Sequence, residues 1–223
     1  MLNDDKMPYK LSPSSLSLME DCERCFWLDK HKVWKRPAGP FPSLPSGMDS
    51  ILKRHFDRFR DMHKLPPELK RELNANQYKL FDDKALLAEW RDWRKGLRWH
   101  DRNGNVLTGA VDNILVKANK LIVLDYKTRG FDLKEDTHTH YQSQLDIYDF
   151  LLDKNGYPTE DYGFLLFYVP KKVEKDGAIA FETTLKKMKT DKRHALGLFN
   201  SAIRLLEESC PKASECDWCR YVR

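Results

Sequence analysis

"LIVLDYKTRG", residues Leu121 to Gly130, begins with four aliphatic residues and then turns to an acid, an aromatic, a lysine and a threonine. The apolar run, with its β-branched pair, has the length and character of a buried strand. Asp125 and Lys127 are two apart, so the pleat places both side chains on one face while Tyr126 points to the other. Asp-x-Lys by itself carries little, because it also begins at Asp4, Asp82 and Asp132. Only at Asp125 does it close a strand pattern.

Outward from this stretch the period of the apolar residues alternates between two and about 3.6. Upstream, "LRWHDRNGNVLTGAVDNILV" alternates around Asn103-Gly104, a hairpin turn, and "KANK" turns the chain into "LIVLDYK". Three consecutive strands are expected. Downstream, "HTHYQSQLDIYDFLLDKNG" has helical spacing and stops at Asn155-Gly156, "YGFLLFYV" and "GAIAFETTL" are strands, and "TDKRHALGLFNSAIRLLEES" is a closing amphipathic helix. Nearer the N-terminus, "LSPSSLSLMEDCERCFWLDKH" reads as one helix with Leu16, Met19, Cys22 and Phe26 on its stripe. The Pro/Gly-rich "VWKRPAGPFPSLPSG" is a surface connection. "SGMDSILKRHFDRFRDMH" is a second helix with Leu52, Phe56 and Phe59 on one face and His55 beside them. Residues 65–95 are helical in composition, with Leu86, Leu87, Trp90 and Trp93 expected in the core. Helices, three strands, a helix, two strands and a helix make an α/β fold.

At 223 residues the chain has the size of one domain, with 33% charged and 41% hydrophobic residues. No apolar run approaches the roughly 20 residues needed to span a bilayer. The first residues lack the charged and apolar regions of a secretory signal, so a reducing cytoplasm is expected and the cysteines should be thiols or metal ligands. A net charge of +5 suits a nucleic-acid partner without specifying one. The basic stretches read as solvated surface, and Trp34, Trp90, Trp93 and Trp99 are candidates for stacking on unpaired bases, with Trp90 and Trp93 placed in the core instead.

Asp112, on the strand before Asp125, sits among apolar residues, where an acid is costly to bury without a cation or hydrogen-bond partner. Two carboxylates on neighbouring strands with a lysine beside them suit phosphodiester hydrolysis: the acids hold a hard divalent ion, and the lysine orients water or steadies developing charge. Gln144 and Tyr148, four apart on the next helix, lie on one face and can hydrogen-bond the lysine or a phosphate.

In this order, "GAVDNILV", "VLDYKTR" and "QLDIY" resemble the motifs of the PD-(D/E)XK nuclease superfamily, in particular its RecB-like exonuclease branch, which includes CRISPR-associated RecB-like nucleases. The resemblance implies a restriction-endonuclease-like core, a central mixed sheet flanked by helices. It also implies a magnesium- or manganese-dependent nuclease acting on single-stranded DNA or DNA ends, with a helicase or integrase as a conceivable partner. Residue by residue it carries over Asp112 and Asp125 as metal ligands, the Tyr126 carbonyl as a third, Lys127 as the catalytic lysine, and Gln144 with Tyr148 as the glutamine-tyrosine motif. His55 is carried over as a metal ligand on family position, although it follows Gly47 by eight residues where the family has four. A DNA-binding module of a repair or defence complex that keeps these residues without cleaving is one alternative, and an enzyme of this fold acting on RNA is the other.

The cysteines fall only near the two ends: Cys22 and Cys25, then Cys210, Cys216 and Cys219. Cys-x-x-Cys at each end could supply a four-thiolate site for zinc or an iron-sulfur cluster that clasps the termini. The pattern again resembles RecB-like iron-sulfur nucleases, in which one early and three late cysteines hold a four-iron cluster. The late trio here runs five then two between cysteines, the reverse of the family order, so either Cys25 or Cys210 is the fourth ligand. The expected organisation is an N-terminal helix and cysteine pair over 10–45, a catalytic core over 46–208 and a cysteine segment over 209–223.

Overall fold

The computed structural model describes residues 8–39 and 41–221, and the Asp-x-Lys that begins at Asp4 lies outside them. A five-stranded sheet forms the centre. It takes β2 (Lys79–Leu80), β5 (Asn113–Lys117), β6 (Lys120–Thr128), β7 (Tyr162–Val173) and β8 (Ile179–Lys189) in the order β2-β5-β6-β7-β8. Only β6 and β7 run parallel, joined by the crossover helix α6 (Gln142–Lys154); the other pairs are antiparallel. A smaller sheet sets β4 (Val106–Gly109) between β3 (Leu97–His100) and β1 (Lys10–Leu11).

The alternation read in β6 divides the core. Leu121 and Val123, on the Asp125 face, pack with Leu145, Tyr148, Leu165 and Phe167. Ile122, Leu124 and Tyr126 pack on the other face with Leu52 and Phe56 of α3 (Ser43–Asp61), Phe164 and Leu166. Helix α6 has buried residues around most of its circumference, because it lies between the sheet, the small sheet, α1 (Pro13–Asp21) and α7 (Lys192–Glu207).

Three local expectations are corrected. The strand expected through "TGAVDNILV" is two strands in two sheets, β4 and β5, with the chain bending over Ala110–Asp112. Helix α5 (Lys84–Arg91) pins the bend: the Val111 amide donates to the Trp90 carbonyl at 3.2 Å and Arg91 Nε donates to the Asp112 carbonyl at 2.7 Å. The first helix is also two, α1 and α2 (Glu23–Lys30), broken at Cys22, which is extended at φ −161°. Its amide still donates to the Leu18 carbonyl while its sulfur accepts from the Cys25 amide, so one residue closes one helix and caps the next. Residues 65–95 hold only the short α4 (Pro67–Lys70), β2 and α5, since Pro66 and the Asn74–Asn76 turn interrupt any longer helix. Leu87 and Trp90 are buried as expected and Leu86 partly so, but Trp93 is 71% exposed.

Gly109 ends β4 against α6, where an added Cβ would lie 2.9 Å from both Leu151 and Tyr148. Gly109→Ala should therefore destabilise the fold by about 1–3 kcal/mol through overpacking, read as a lowered denaturation midpoint with an unchanged slope.

Candidate active site and cysteine cluster

The bend at Ala110–Asp112 decides what lies beside the end of β6. Pairing of β5 with β6 reaches only Asn113 opposite Leu124, so β5 offers no ladder partner to Asp125, Tyr126 and Lys127. Asp112 fills this edge: its Oδ2 accepts from the Tyr126 amide at 3.3 Å. It therefore stands in the turn before the strand, where the sequence reading had set it within the strand.

Asp125 is 1% exposed. Lys127 Nζ lies 2.6 Å from its Oδ2, an oxygen with no directed hydrogen bond among the described residues. The same ammonium donates to Gln144 Oε1 at 2.8 Å. Gln144 Nε2 in turn donates to the Tyr148 hydroxyl at 2.9 Å and to Asp125 Oδ1 at 3.3 Å. Acid, lysine, glutamine and tyrosine thus form one closed network across β6 and α6. Burial, then the Asp112 charge, push the Asp125 carboxyl up to about 7 against the pull of Lys127. Burial first, and the Asp125 charge second, also push the Tyr148 phenol well above its ordinary range, which keeps it a neutral hydrogen-bonding group.

Several participants escaped the sequence reading. Lys53 of α3 sets Nζ 3.2 Å from Asp112 Oδ1 and 2.9 Å from Asp49. Behind Asp112, Arg91 is ion-paired with Asp57 at 2.9 Å. Buried Arg60 bonds Asp57, the Phe81 carbonyl at 2.6 Å and Asn113 Oδ1 at 2.6 Å, and Asn113 bonds the Tyr126 hydroxyl. Tyr141 lies under Lys127, 4.5 Å from Nζ to the ring centre. The contacts that bring them to the acids carry no local signal, because Lys53 and Arg91 reach Asp112, and Arg60 reaches Asn113, across long stretches of chain.

His55 is not in this cluster. Its Nε2 lies 2.9 Å from Glu68 Oε1, which also accepts from the Tyr168 hydroxyl at 2.8 Å, and its ring meets Phe59 edge-on. Lys53 and His55, two apart on α3, point to different sides of the helix, and α3 covers the sheet face opposite Asp125. Lys53 is the α3 side chain that reaches the acids.

The donor set of Asp112, Asp125 and the Tyr126 carbonyl is all oxygen, as a hard dication requires, and Asp125 Oδ2, met by the Lys127 ammonium, keeps lone pairs for such an ion.

At the other end of α1, Cys22, Cys25, Cys216 and Cys219 bring their sulfur atoms within 4.8 Å of one another. Cys210 stays outside, its thiol against the Pro211 carbonyl at 3.6 Å, so the four sulfurs that gather include Cys25 and leave out Cys210. Arg36 Nη2 donates to Cys216 Sγ at 3.2 Å, and the Ser214 hydroxyl lies 3.3 Å from Cys22 Sγ.

Two acids and a lysine gathered on the edge of β6 that β5 has vacated, in a sheet with one parallel pair, fit a nuclease-type hydrolase. A family model for the PD-(D/E)XK nuclease superfamily matches residues 10–223, and the chain belongs to that superfamily. Its members are divalent-metal-dependent nucleases, and the family implies a DNA substrate. Among solved structures, one titled "Crystal structure of SSO0001" is similar at 18% identity and a TM-score of 0.49, over 99% of this chain and 87% of that one. No curated protein matches the chain. No helix among the described residues is long and apolar enough to cross a membrane.

An acid whose pKa is raised by folding loses stability as pH climbs from the unfolded value near 3.8 to the folded one near 7, because the unfolded chain ionises first. A dication that binds the ionised carboxylates offsets this. Manganese should therefore raise the thermal midpoint more at pH 8 than at pH 5. Asp125→Asn should melt higher than the parent in EDTA at pH 8 and lose most of the manganese response, which differential scanning fluorimetry would read.

Proposed function

We propose that the protein is a divalent-metal-dependent deoxyribonuclease, acting as an exonuclease on single-stranded DNA or DNA ends, with residues 46–208 as its catalytic core in one domain. The observation that carries this reading is the closed network of Asp125, Lys127, Gln144 and Tyr148 with Asp112 on the open edge of β6. Asp112, Asp125 and the Tyr126 carbonyl would hold magnesium or manganese, which when bound supplies activated water and offsets charge on the phosphate. Lys127, fixed by Gln144, is placed to orient that water and steady the negative charge that grows on the phosphoryl oxygens. Gln144 is a positioning residue: with its oxygen engaged by the ammonium, its amide fixes the Tyr148 hydroxyl and Asp125. Arg91 and Arg60 hold the Asp112 bend from behind.

A cleft of about 440 Å³ beside the network supports the single-strand reading. Gln144 and Tyr148 form one wall, Lys10 of β1 with Ser12 and Ser14 at the start of α1 another, and the exposed Trp93 stands at its rim. An indole left 71% exposed beside phosphate-binding chemistry suits stacking on an unpaired base, which tolerates any sequence. The guanidinium of Arg94, 5.3 Å from the Trp93 ring centre, adds positive charge there.

Lys127→Ala should reduce cleavage of labelled single-stranded DNA by at least about 100-fold while DNA binding persists. DNA binding by the parent with no product under either magnesium or manganese would instead identify a non-cleaving binding module. Trp93→Ala should weaken binding of single-stranded DNA by about 5- to 150-fold, the range for one lost base stack. Turnover at saturation should change little, and equal loss on blunt duplex would contradict the stacking role.

A further inference from the structure

We infer that Cys22, Cys25, Cys216 and Cys219 hold a single tetrahedral zinc ion in place of the four-iron cluster that the family resemblance implies. The inference is independent of whether the acids cleave DNA. It rests first on the size of the site. Every sulfur lies within 4.8 Å of the other three, and the pairs that join the two ends of the chain, Cys22 with Cys219 and Cys25 with Cys216, are 3.5 Å and 3.7 Å apart. One zinc at about 2.3 Å from each of four tetrahedral thiolates sets neighbouring sulfurs about 3.8 Å apart. In a four-iron cluster each thiolate binds its own corner iron, which spreads the sulfurs to roughly 6 Å. Every pair here would have to move apart by more than an ångström, against backbone turns already closed by the Cys25 amide on Cys22 Sγ and the Cys219 amide on the Cys216 carbonyl.

The ligand pattern is the second ground. One Cys-x-x-Cys lies at the cap of α2 and the other at the short 3-10 turn Cys219–Tyr221, so each end contributes the same two-ligand knuckle. The early cysteine with a late trio, which would have drafted Cys210, is not what the fold assembles. Four thiolates around a dication leave net negative charge, and Arg36 is in place to offset it through Cys216 while its Nη1 bonds Asp21 at 2.5 Å. The ion would be structural: four protein thiolates fill a tetrahedral shell, which leaves no open ligand position, and it would tie the α1–α2 junction to the tail that follows α7.

The test is to express the full chain with both iron and zinc supplied, purify it without oxygen, and measure metals, acid-labile sulfide and the visible spectrum. One zinc per chain, with neither sulfide nor visible absorption, is expected; iron with sulfide and a brown protein would overturn the inference, as would four free thiols with no metal. Cys216→Ser should lose the zinc and Cys210→Ser should keep it, and zinc loss from Cys210→Ser would refute the ligand set. Should Cys216→Ser not fold, cobalt exchanged into the parent serves instead: the intense absorption of tetrahedral cobalt-thiolate supports the site, and its absence counts against it.

Discussion

Two carboxylates that must share one end of a buried strand are the constraint around which the rest is arranged. Asp125 has almost no access to water and Asp112 adds its charge next to it. Left alone, such a pair would take up a proton or force the strand apart. The chain answers with cations from both sides of the sheet: Lys127 from β6 itself and Lys53 from α3. Gln144 then locks Lys127 in place from α6, and Arg91 fixes the backbone of Asp112 from α5. Three helices and the strand are thereby tied to a pair of acids, which explains why the bend before β5 is held so firmly.

What the sequence made legible follows from how local each signal is. The face shared by Asp125 and Lys127 is fixed by the pleat alone, and the i,i+4 relation of Gln144 and Tyr148 by the helix alone, so both survive into the structure unchanged. The break between β4 and β5 was not legible, because the alternation of apolar residues runs through it; what bends the chain is α5, whose contacts lie some twenty residues away in sequence. The break at Cys22 was hidden for a similar reason, since the apolar spacing continues across it while a sulfur cap and a tertiary cluster hold the extended residue. Trp93 has the hydrophobicity of a core residue but sits just past the end of α5, where the chain has already turned outward. His55 and Lys53 show the limit of motif position: both are on the expected helix, and only the packed orientation of α3 shows which one reaches the acids.

The cysteine cluster and the cleft are linked through α1. Ser12 and Ser14, at one end of this short helix, line the cleft, and Cys22 closes the other end. The segment after α7 reaches the same region by other contacts: Trp27 donates to the Glu208 carbonyl at 3.1 Å, and Arg24 to the Pro211 carbonyl at 3.0 Å. A metal clasp here would add to these bonds and tie the end of α1 to the segment after α7, and so steady the wall of the cleft that α1 supplies.

The placement of the acids also shows how a stable sheet can carry a costly site. From Leu121 to Leu124, β6 is paired on both edges or flanked by the loop before β7, and both faces are buried in separate apolar clusters. Hydrophobic burial on both faces makes this half of the strand the stable part. From Asp125 onward one edge loses its β-partner while the parallel pairing with β7 continues to Thr128. The backbone is thus held straight by β7 at the residues where β5 has withdrawn, so side chains and carbonyls on the vacated edge keep strand geometry without a neighbouring strand in the way. An acid pair placed earlier on β6 would have to displace β5 and its share of the core; placed beyond Thr128 it would lose the support of β7.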